Sequence, residues 1–186
     1  MIFYLSGGME FKKNLGIGWR EWITGELASL SHGVVNPIKL ESTCDTREPL
    51  QERLTKLKLE NKLEELRNLA RHSLFRKDIY GIQISDAIVV YYDEAVQKGA
   101  GTISEAWESF REGRPVYLVT DFSLKNLPTW LIAETTEVFK DFESFLFYVS
   151  SHNRVSSDVV KARKIRDEIL GGIYEGGLIG RPGNIR

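Results

Sequence analysis

Short, wholly apolar segments alternate with longer segments of helical periodicity along this chain, and no other feature restricts its fold as strongly. Three of these segments are residues 2–5, 87–92 and 116–119, and each is followed directly by a polar residue. Strands that are apolar on both faces lie inside parallel sheets that carry helices on both sides. The alternation therefore predicts an α/β fold with a buried parallel sheet as its middle layer.

The order of the predicted elements indicates the topology of that sheet. Residues 34–35 and 137–140 bring the predicted strands to five. Right-handed crossovers between them favour the flavodoxin-like strand order 2-1-3-4-5. In such a sheet the order reverses between the first and third strands, so we expect a ligand at the carboxyl ends of these two strands.

Apolar periodicity also places the helices. Helical patterns cover residues 19–30, 48–74, 78–84, 102–112, 127–133, 142–149 and 156–170. The 48–74 pattern predicts one long amphipathic helix, whose apolar stripe packs either on the sheet or on another subunit. Residues 38–47 show no clear pattern and are predicted to form a loop.

These elements are expected to form a single three-layer domain over residues 1–150, with a helical insertion at about 41–75. Residues 151–186 are expected to form a C-terminal extension made of a basic helix and a glycine-rich tail. The apolar stripe of the first helix is predicted to contain Trp19, Trp22, Ile23, Leu27 and Leu30.

Composition excludes several classes of partner. The chain has 25 basic and 26 acidic residues, a balance that argues against nucleic acid as a partner. No apolar run approaches the roughly 20 residues that span a bilayer, so no membrane association is expected. A lone cysteine, Cys44, excludes an internal disulfide and, with no signal-peptide pattern, favours the cytoplasm.

Glu105 lies near the start of a predicted helix and has two interpretations. Thr102-Ile103-Ser104-Glu105 matches a capping box, in which the glutamate binds the amide of the cap residue. Alternatively, Gly99 and Gly101 would let the backbone approach a ligand closely. The helix N-terminus would then keep the Glu105 carboxylate ionised, as a nucleophile requires.

Three aspartates flank the third predicted strand. Asp78 is suited either to capping a short helix or to a role in catalysis. Asp86 has the position of a cap or turn residue just before the strand. Asp93 follows the end of the strand, where ligands bind in such sheets, and is either a ligand contact or a solvated loop charge.

The turn after the first strand, Ser6-Gly7-Gly8, could offer its amides to a phosphate or a sugar hydroxyl. No P-loop and no G-x-S-x-G elbow occurs in the sequence. The histidines are dispersed and, with a single cysteine, lack metal-ligand spacing. We therefore expect neither a metal nor another cofactor.

Together these motifs resemble those of the nucleoside 2-deoxyribosyltransferase family. The resemblance begins with IFYLSGG, continues through HGVVNP, and is strongest from KDIYGIQISDAIVVYYD through GAGTISEAWESFREGRPVYLV. It covers about residues 1–40 and 75–150. As a set the motifs are moderately specific, whereas each alone is weak.

The resemblance implies roles for three residues. Glu105 matches the nucleophilic glutamate that attacks C1′ of the sugar, Asp78 the aspartate that assists proton transfer to the leaving base, and Tyr4 the tyrosine that orients the nucleophile. The implied chemistry is that of a retaining glycosidase, with an oxocarbenium-like transition state and a covalent glycosyl-enzyme intermediate. Transfer to a second base returns a nucleoside, as in nucleotide salvage, and transfer to water makes a hydrolase.

The chain departs from the family pattern at three positions. Transferases usually carry an aspartate where this chain has Gly99, a glycine where it has Trp107, and an asparagine from a neighbouring subunit where it has Thr135. The sister nucleoside 5′-monophosphate glycosidases have small or hydroxyl side chains at the first and third positions, which Gly99 and Thr135 match.

Three hypotheses about function remain open at this point. The first is transfer of a 2-deoxyribosyl group between bases by a homo-oligomeric enzyme, and the second is hydrolysis of a nucleoside 5′-monophosphate. The third is a nucleotide-binding or sensing module without turnover, motivated by Gly99 and Trp107. The resemblance and the sheet order together predict a set of substrate-binding residues: Ser6, Gly7, Gly8, Asp93, Gly99, Gly101, Thr102 and Thr135.

Overall fold

A five-stranded parallel sheet forms the middle layer of the protein. The computed structural model describes residues 1–12, 14–42 and 49–175. The sheet has the strand order β2-β1-β3-β4-β5, and every neighbouring pair is parallel. The strands are β1 (Ile2–Gly7), β2 (Gly33–Val35), β3 (Ala87–Tyr91), β4 (Val116–Val119) and β5 (Glu137–Phe139). The predicted α/β class and the flavodoxin-like order are confirmed.

Helices cover both faces of the sheet. They are α1 (Ile17–Ser29), α2 (Pro37–Ser42), α3 (Leu50–Leu59), α4 (Leu63–Leu69), α5 (Arg76–Gln83), α6 (Gly101–Arg111), α7 (Thr129–Glu134), α8 (Phe142–Val149) and α9 (His152–Glu175). Residues of α5, α6 and α7 pack with one apolar cluster of the sheet, and residues of α1, α8 and α9 pack with the other. The sheet is therefore buried on both faces, as its wholly apolar strands require.

The alternation of side chains along β1 decides which residues can meet the helices on each face. Phe3 and Leu5 belong to the cluster that packs against α1 and α8. Tyr4 belongs to the opposite cluster, with Ala106 of α6. Because successive side chains of a strand point to opposite faces, Ser6 shares the α6 face with Tyr4.

The predicted long helix over 48–74 is wrong as a single element. α3 ends at Leu59, and Asn61 adopts a left-handed conformation with φ 54° before α4 begins. Asparagine tolerates this conformation better than most residues, so it ends the first helix without a glycine. A π-helical segment, Ala70–Phe75, then joins α4 directly to α5. Residue 48 lies outside the described residues.

The predicted loop over 38–47 is wrong in its first part, because α2 covers Pro37–Ser42. The side chain of Asn36 accepts a hydrogen bond from the Ile38 amide at 3.0 Å. An asparagine cap followed by proline is a common helix start, so Asn36-Pro37 both ends the strand and begins α2. Residues 43–48 lie outside the described part of the chain.

The C-terminal helix α9 packs against the amino ends of the strands. Its Asp158 accepts hydrogen bonds from the hydroxyl groups of Tyr117 in β4, at 2.8 Å, and Tyr148 in α8, at 3.0 Å. Lys161 pairs with Glu137 at the start of β5, at 2.7 Å. The helix is longer than the predicted 156–170, and the glycine-rich tail after Glu175 lies outside the described residues.

Candidate active site

The centre of the site is the carboxylate of Glu105, held between two hydroxyl groups of β1. Tyr4 donates to Oε1 at 3.0 Å, and Ser6 donates to Oε2. Both donors are fully buried. Glu105 reaches them because it lies on the buried stripe of α6, beside Ala106 and one turn before Ser109. Two residues that alternate on one strand face thus orient one side chain of the helix above them.

The capping-box interpretation of Glu105 is wrong. α6 begins at Gly101, its cap residue is Ala100, and no side chain caps its N-terminus. Glu105 therefore lies beyond the first turn of the helix and bonds to β1 instead. Because the effect of the helix dipole falls off within the first turn, it contributes little to the ionisation of this carboxylate.

Asp78 does not cap a helix either. The π-helical segment continues into α5 without a break, and no side chain caps the start of α5. Asp78 shares the sheet-facing side of α5 with Gly81 and Ile82, both of which are buried. Its carboxylate lies 3.5 Å from the Nζ atom of Lys77. This position directs Asp78 towards the cleft rather than towards a helix end.

Asp78 and Glu105 line the same cleft, which has a volume of about 120 Å³. The cleft lies at the carboxyl ends of β1 and β3, where the strand order reverses. Most of the sequence-predicted site residues contribute to its lining: Gly7, Gly8, Gly99, Gly101 and Thr102. Tyr4 and Ser6 lie behind Glu105, as its hydrogen-bond donors.

Asp93 and Thr135 do not line this cleft. The Asp93 carboxylate accepts hydrogen bonds from the Ala95 and Val96 amides at 3.0 and 3.3 Å and pairs with Lys12. It therefore shapes the loop after β3, and it faces an adjacent depression. Thr135 bonds to the carbonyl of Ile132 and precedes β5, at the opposite edge of the sheet.

Burial sets the electrostatics of the two central groups. Burial and the nearby Asp78 raise the pKa of Glu105 to about 7, against the opposing effect of the Ser6 and Tyr4 hydrogen bonds. Burial, together with the Glu105 carboxylate, raises the pKa of Tyr4 well above its ordinary value. Tyr4 therefore stays a neutral donor, and Glu105 changes its protonation near neutral pH.

Trp107 packs away from the cleft. Its ring lies 5.7 Å from those of Phe110 and Trp130, between α6 and α7. Because Trp107 follows Glu105 by two residues, its side chain points to a different side of the helix. The indole is not part of the cleft lining, so it does not block access to Glu105.

Sequence reasoning missed two cations near the site. Lys77 lines the cleft beside Asp78, and only its adjacency to Asp78 in the sequence could have indicated it. Arg20 is fully buried on α1 with Ile23 and Leu27. The predicted stripe of this helix contained Trp22 instead, which is 42% exposed. The spacing Arg20, Ile23, Leu27 fits one helix face and was the available signal.

A larger depression of about 500 Å³ lies at the amino ends of the strands, and its lining contains neither Asp78 nor Glu105. Within the described ranges, no group of three or more histidine, cysteine, aspartate or glutamate side chains could hold a metal. In those same ranges no helix is both long enough and apolar enough to cross a bilayer.

A solved structure with a similar fold is that of a 2-deoxyribosyltransferase from the psychrotolerant bacterium Bacillus psychrosaccharolyticus. The TM-score is 0.57, the sequence identity is 17%, and the match covers 80% of this chain and 92% of that chain. Neither the protein-family models nor the curated proteins compared with this chain match it. The structural similarity shows that this chain shares the flavodoxin-like fold of that 2-deoxyribosyltransferase structure.

Proposed function

We propose that this protein cleaves the N-glycosidic bond of a 2′-deoxynucleoside and transfers the 2-deoxyribosyl group to another base. One observation carries the proposal: the Glu105 carboxylate, oriented by Tyr4 and Ser6, lines a cleft that also contains the carboxyl group of Asp78. The similar fold of a 2-deoxyribosyltransferase supports it at the level of architecture.

In the first proposed step, an oxygen of Glu105 attacks C1′ as the bond from C1′ to the base nitrogen breaks. The base leaves with the electron pair of that bond and takes a proton from Asp78, which enters this step protonated and becomes a carboxylate that pairs with Lys77. The product is a covalent ester between Glu105 and the sugar. Protonation of the leaving group by a placed acid contributes roughly 10²–10⁴-fold to the rate.

In the second step, a nitrogen of the acceptor base attacks C1′ from the face that the first base left. The ester bond breaks, Glu105 regains its carboxylate, and Asp78 takes the proton of the acceptor nitrogen. Two inversions give net retention at C1′. Water in place of the acceptor base would make the same protein a hydrolase.

Tyr4 and Ser6 act in this scheme as orienting donors. Each hydroxyl occupies one lone pair of one Glu105 oxygen, which leaves further lone pairs for attack. The main chain at Gly7, Gly8 and Gly101, with the Thr102 side chain, would contact the sugar. A side chain at Gly101 would meet nothing within 4 Å, so this part of the wall is open.

A second candidate function is hydrolysis of a nucleoside 5′-monophosphate. Lys77 at the cleft wall is a cation of the kind that binds phosphate. Gly99 carries no carboxylate that would repel a phosphate, and a Cβ atom there would lie 3.2 Å from the Phe11 ring. Both features favour a phosphorylated substrate over a plain nucleoside.

One experiment separates the candidates. A 2′-deoxynucleoside and its 5′-monophosphate are each incubated with the protein, with and without a second free base, and the products are separated by chromatography. Base exchange on the unphosphorylated substrate supports transfer, and base release from the monophosphate alone supports hydrolysis. Glu105→Ala should lower either rate by about four orders of magnitude or more.

Retained turnover in Glu105→Ala would reject both enzymatic candidates. Tight nucleotide binding without any product would favour the binding or sensing module. The cytoplasmic location, the role in nucleotide salvage and the homo-oligomeric state stay predictions. The assembly can be measured by sedimentation of the purified protein.

A further inference from the structure

Arg20 is a buried cation close to the proposed active site. Its side chain has no exposed surface. One terminal nitrogen, Nη2, donates to the carbonyl of Gly7 at 2.9 Å, and Nη1 donates to the carbonyls of Leu15 and Gly16 at 2.8 and 3.4 Å. The guanidinium thus joins the end of β1 to the segment that leads into α1.

Within the described residues, no carboxylate forms an ion pair with this charge. The hydrogen bonds that Arg20 makes there go to main-chain carbonyls, and its Cζ atom lies 4.4 Å from the centroid of the Trp19 ring. Its Nε atom is buried and makes no hydrogen bond. Burying a charge without a paired carboxylate opposes folding, and the hydrogen bonds to three main-chain carbonyls offset part of that cost.

The local sequence is shaped around this guanidinium. Gly16 has φ 71°, and a Cβ atom there would lie 2.6 Å from Nη1 of Arg20. A Cβ atom on Gly7 would lie 2.9 Å from the Trp19 ring. Both glycines therefore keep the space that Trp19 and Arg20 occupy.

Arg20 is linked to Glu105 through the end of β1. Gly7, whose carbonyl binds Arg20, directly follows Ser6, whose hydroxyl binds Glu105. The positive charge of Arg20 lowers the pKa of Glu105, against burial and the Asp78 charge, which raise it. Burial in turn lowers the pKa of Arg20 to about 10, so Arg20 remains charged at neutral pH.

The other titratable groups around Glu105 do not replace this effect. Tyr4 faces it from β1 as a neutral donor. Lys77 and Asp78 face the cleft from α5 as an ion pair, and Glu10 at the cleft rim pairs with Lys58. Lys77 and Glu10 each pair with an opposite charge, whereas no carboxylate of the described residues forms an ion pair with the guanidinium of Arg20, so its positive charge acts on Glu105 from a distance.

We propose that Arg20 is a positioning residue for the proposed reaction. Its guanidinium holds the end of β1 that carries Ser6, and it supplies the positive field that keeps the Glu105 carboxylate ionised for attack on C1′. The catalytic part of this role rests on the proposed function. The effect on Glu105 does not, because ionisation can be measured without any substrate.

The direct test is an NMR titration of the Glu105 side chain in protein labelled with ¹³C at the glutamate carboxyl carbon. Glu105→Gln identifies the signal. In the neutral variants Arg20→Met and Arg20→Gln, the midpoint should rise above the midpoint measured for the wild-type protein, because a positive charge that lowers the pKa of Glu105 is lost. Arg20→Lys keeps a charge and should stay close to wild type.

Arg114→Met is the matched control. Arg114 also binds main-chain carbonyls, of Ser85 at 2.9 Å and of Gln83 at 3.0 Å, but at the amino ends of the strands. Its loss should leave the Glu105 midpoint unchanged. A midpoint that is also unchanged in both neutral Arg20 variants would overturn the proposal, whether or not the protein cleaves nucleosides.

A thermal-unfolding cycle covers the case in which an Arg20 variant is too unstable for titration. Arg20→Met is measured at pH 8 in the wild-type and Glu105→Gln backgrounds. Only the wild-type background has an ionised carboxylate at position 105, so only there does Arg20→Met remove a positive charge that favours it. The fall in Tm caused by Arg20→Met should therefore be larger in the wild-type background than in the Glu105→Gln background. Equal falls in the two backgrounds, or loss of folding in both, would show that Arg20 is only structural and would overturn the proposal.

In an active protein, the same variants give a second readout. Arg20→Met should move the acidic limb of kcat/KM to higher pH, as it moves the midpoint of Glu105. A loss of activity at every pH with an unmoved acidic limb would contradict the role assigned to the charge.

Discussion

At the scale of single residues, the site is built around a carboxylate that is costly to ionise. Tyr4 and Ser6 each donate one hydrogen bond to Glu105, yet burial and Asp78 still raise its pKa to about 7. A group with this pKa is ionised and protonated in comparable amounts at neutral pH. Small changes around Glu105 should therefore alter both activity and stability.

The effect on activity can be measured from the acidic limb of the pH profile of kcat/KM. A nucleophilic Glu105 must be ionised, so kcat/KM should fall about tenfold for each pH unit below about 7. Tyr4→Phe removes a donor that favours the ionised form, and the limb should move to higher pH. A profile that stays flat down to pH 5 would contradict this role of Glu105.

The effect on stability can be measured by thermal unfolding of the Glu105→Gln variant. In the folded protein the pKa is raised from 4.5 to about 7, so the folded state binds the proton more tightly. Glu105 therefore costs stability as pH rises through this range, and the cost is absent below it. Glu105→Gln should raise Tm at pH 8, by roughly 2–4 °C for each kcal/mol, and the gain should vanish near pH 4.

Glu108→Gln is the control on the same helix, because Glu108 pairs with Arg111 at the surface. It should give no gain in Tm at pH 8. A destabilised Glu105→Gln at pH 8 would show that the ionised carboxylate is better solvated than burial implies.

At the scale of elements, the contact between α5 and β1 brings Asp78 to the cleft that Glu105 lines. Gly81 makes that contact possible, since a Cβ atom there would lie 2.8 Å from Cε2 of the buried Tyr4 ring. A larger side chain would push α5 away from the sheet or displace Tyr4. The distance between the two carboxyl groups thus depends on one missing methyl group.

Gly81→Ala should therefore destabilise the protein by about 1–3 kcal/mol through overpacking, although alanine favours helix. Gly25→Ala in α1 is the matched control, because a Cβ atom there meets nothing within 4 Å. It should stabilise by up to about 1 kcal/mol. Urea unfolding measures both, and a stabilised Gly81→Ala would show that α5 does not press on Tyr4.

At the scale of the whole molecule, the cleft and the contacts that hold α9 lie at opposite edges of the sheet. The cleft lies at the carboxyl ends of the strands, whereas α9 is held at their amino ends by Asp158 and Lys161. The described part of the C-terminal helix therefore does not close over Glu105. We expect α9 to cover the sheet face that α1 and α8 also cover, where its Val155 belongs to the apolar cluster.

Asp158→Ala should separate stability from chemistry. It leaves the hydroxyl groups of Tyr117 and Tyr148 without their acceptor, which costs roughly 2 kcal/mol or more and lowers Tm by about 4–8 °C. Activity at 20 °C should persist, because the cleft is at the other edge. Asp158→Asn keeps one acceptor oxygen and should be milder. Loss of activity in a folded Asp158→Ala protein would contradict this separation.

Much of this organisation could be predicted from the sequence because parallel strands leave a simple signature. The apolar runs of β1, β3 and β4 identified the sheet, and the strand order followed from handedness. The helix break at Asn61 and the capped start of α2 were not predicted, because the signal for each is a single polar residue. Arg20 and Lys77 were not predicted because a charge is normally solvated, and only the tertiary structure shows that Arg20 is buried next to Gly7 and that Lys77 lines the cleft.

Trapping of the covalent intermediate tests the central claim most directly. Fluorine at C2′ of the nucleoside sugar withdraws electrons and destabilises the oxocarbenium-like transition state. It therefore slows hydrolysis or transfer of the glycosyl-enzyme ester. Mass spectrometry of the treated protein should show one added fluorosugar, located on Glu105 in the peptide map and absent from Glu105→Gln. Release of the base without an adduct, or an adduct on another residue, would contradict the assignment of Glu105 as the nucleophile.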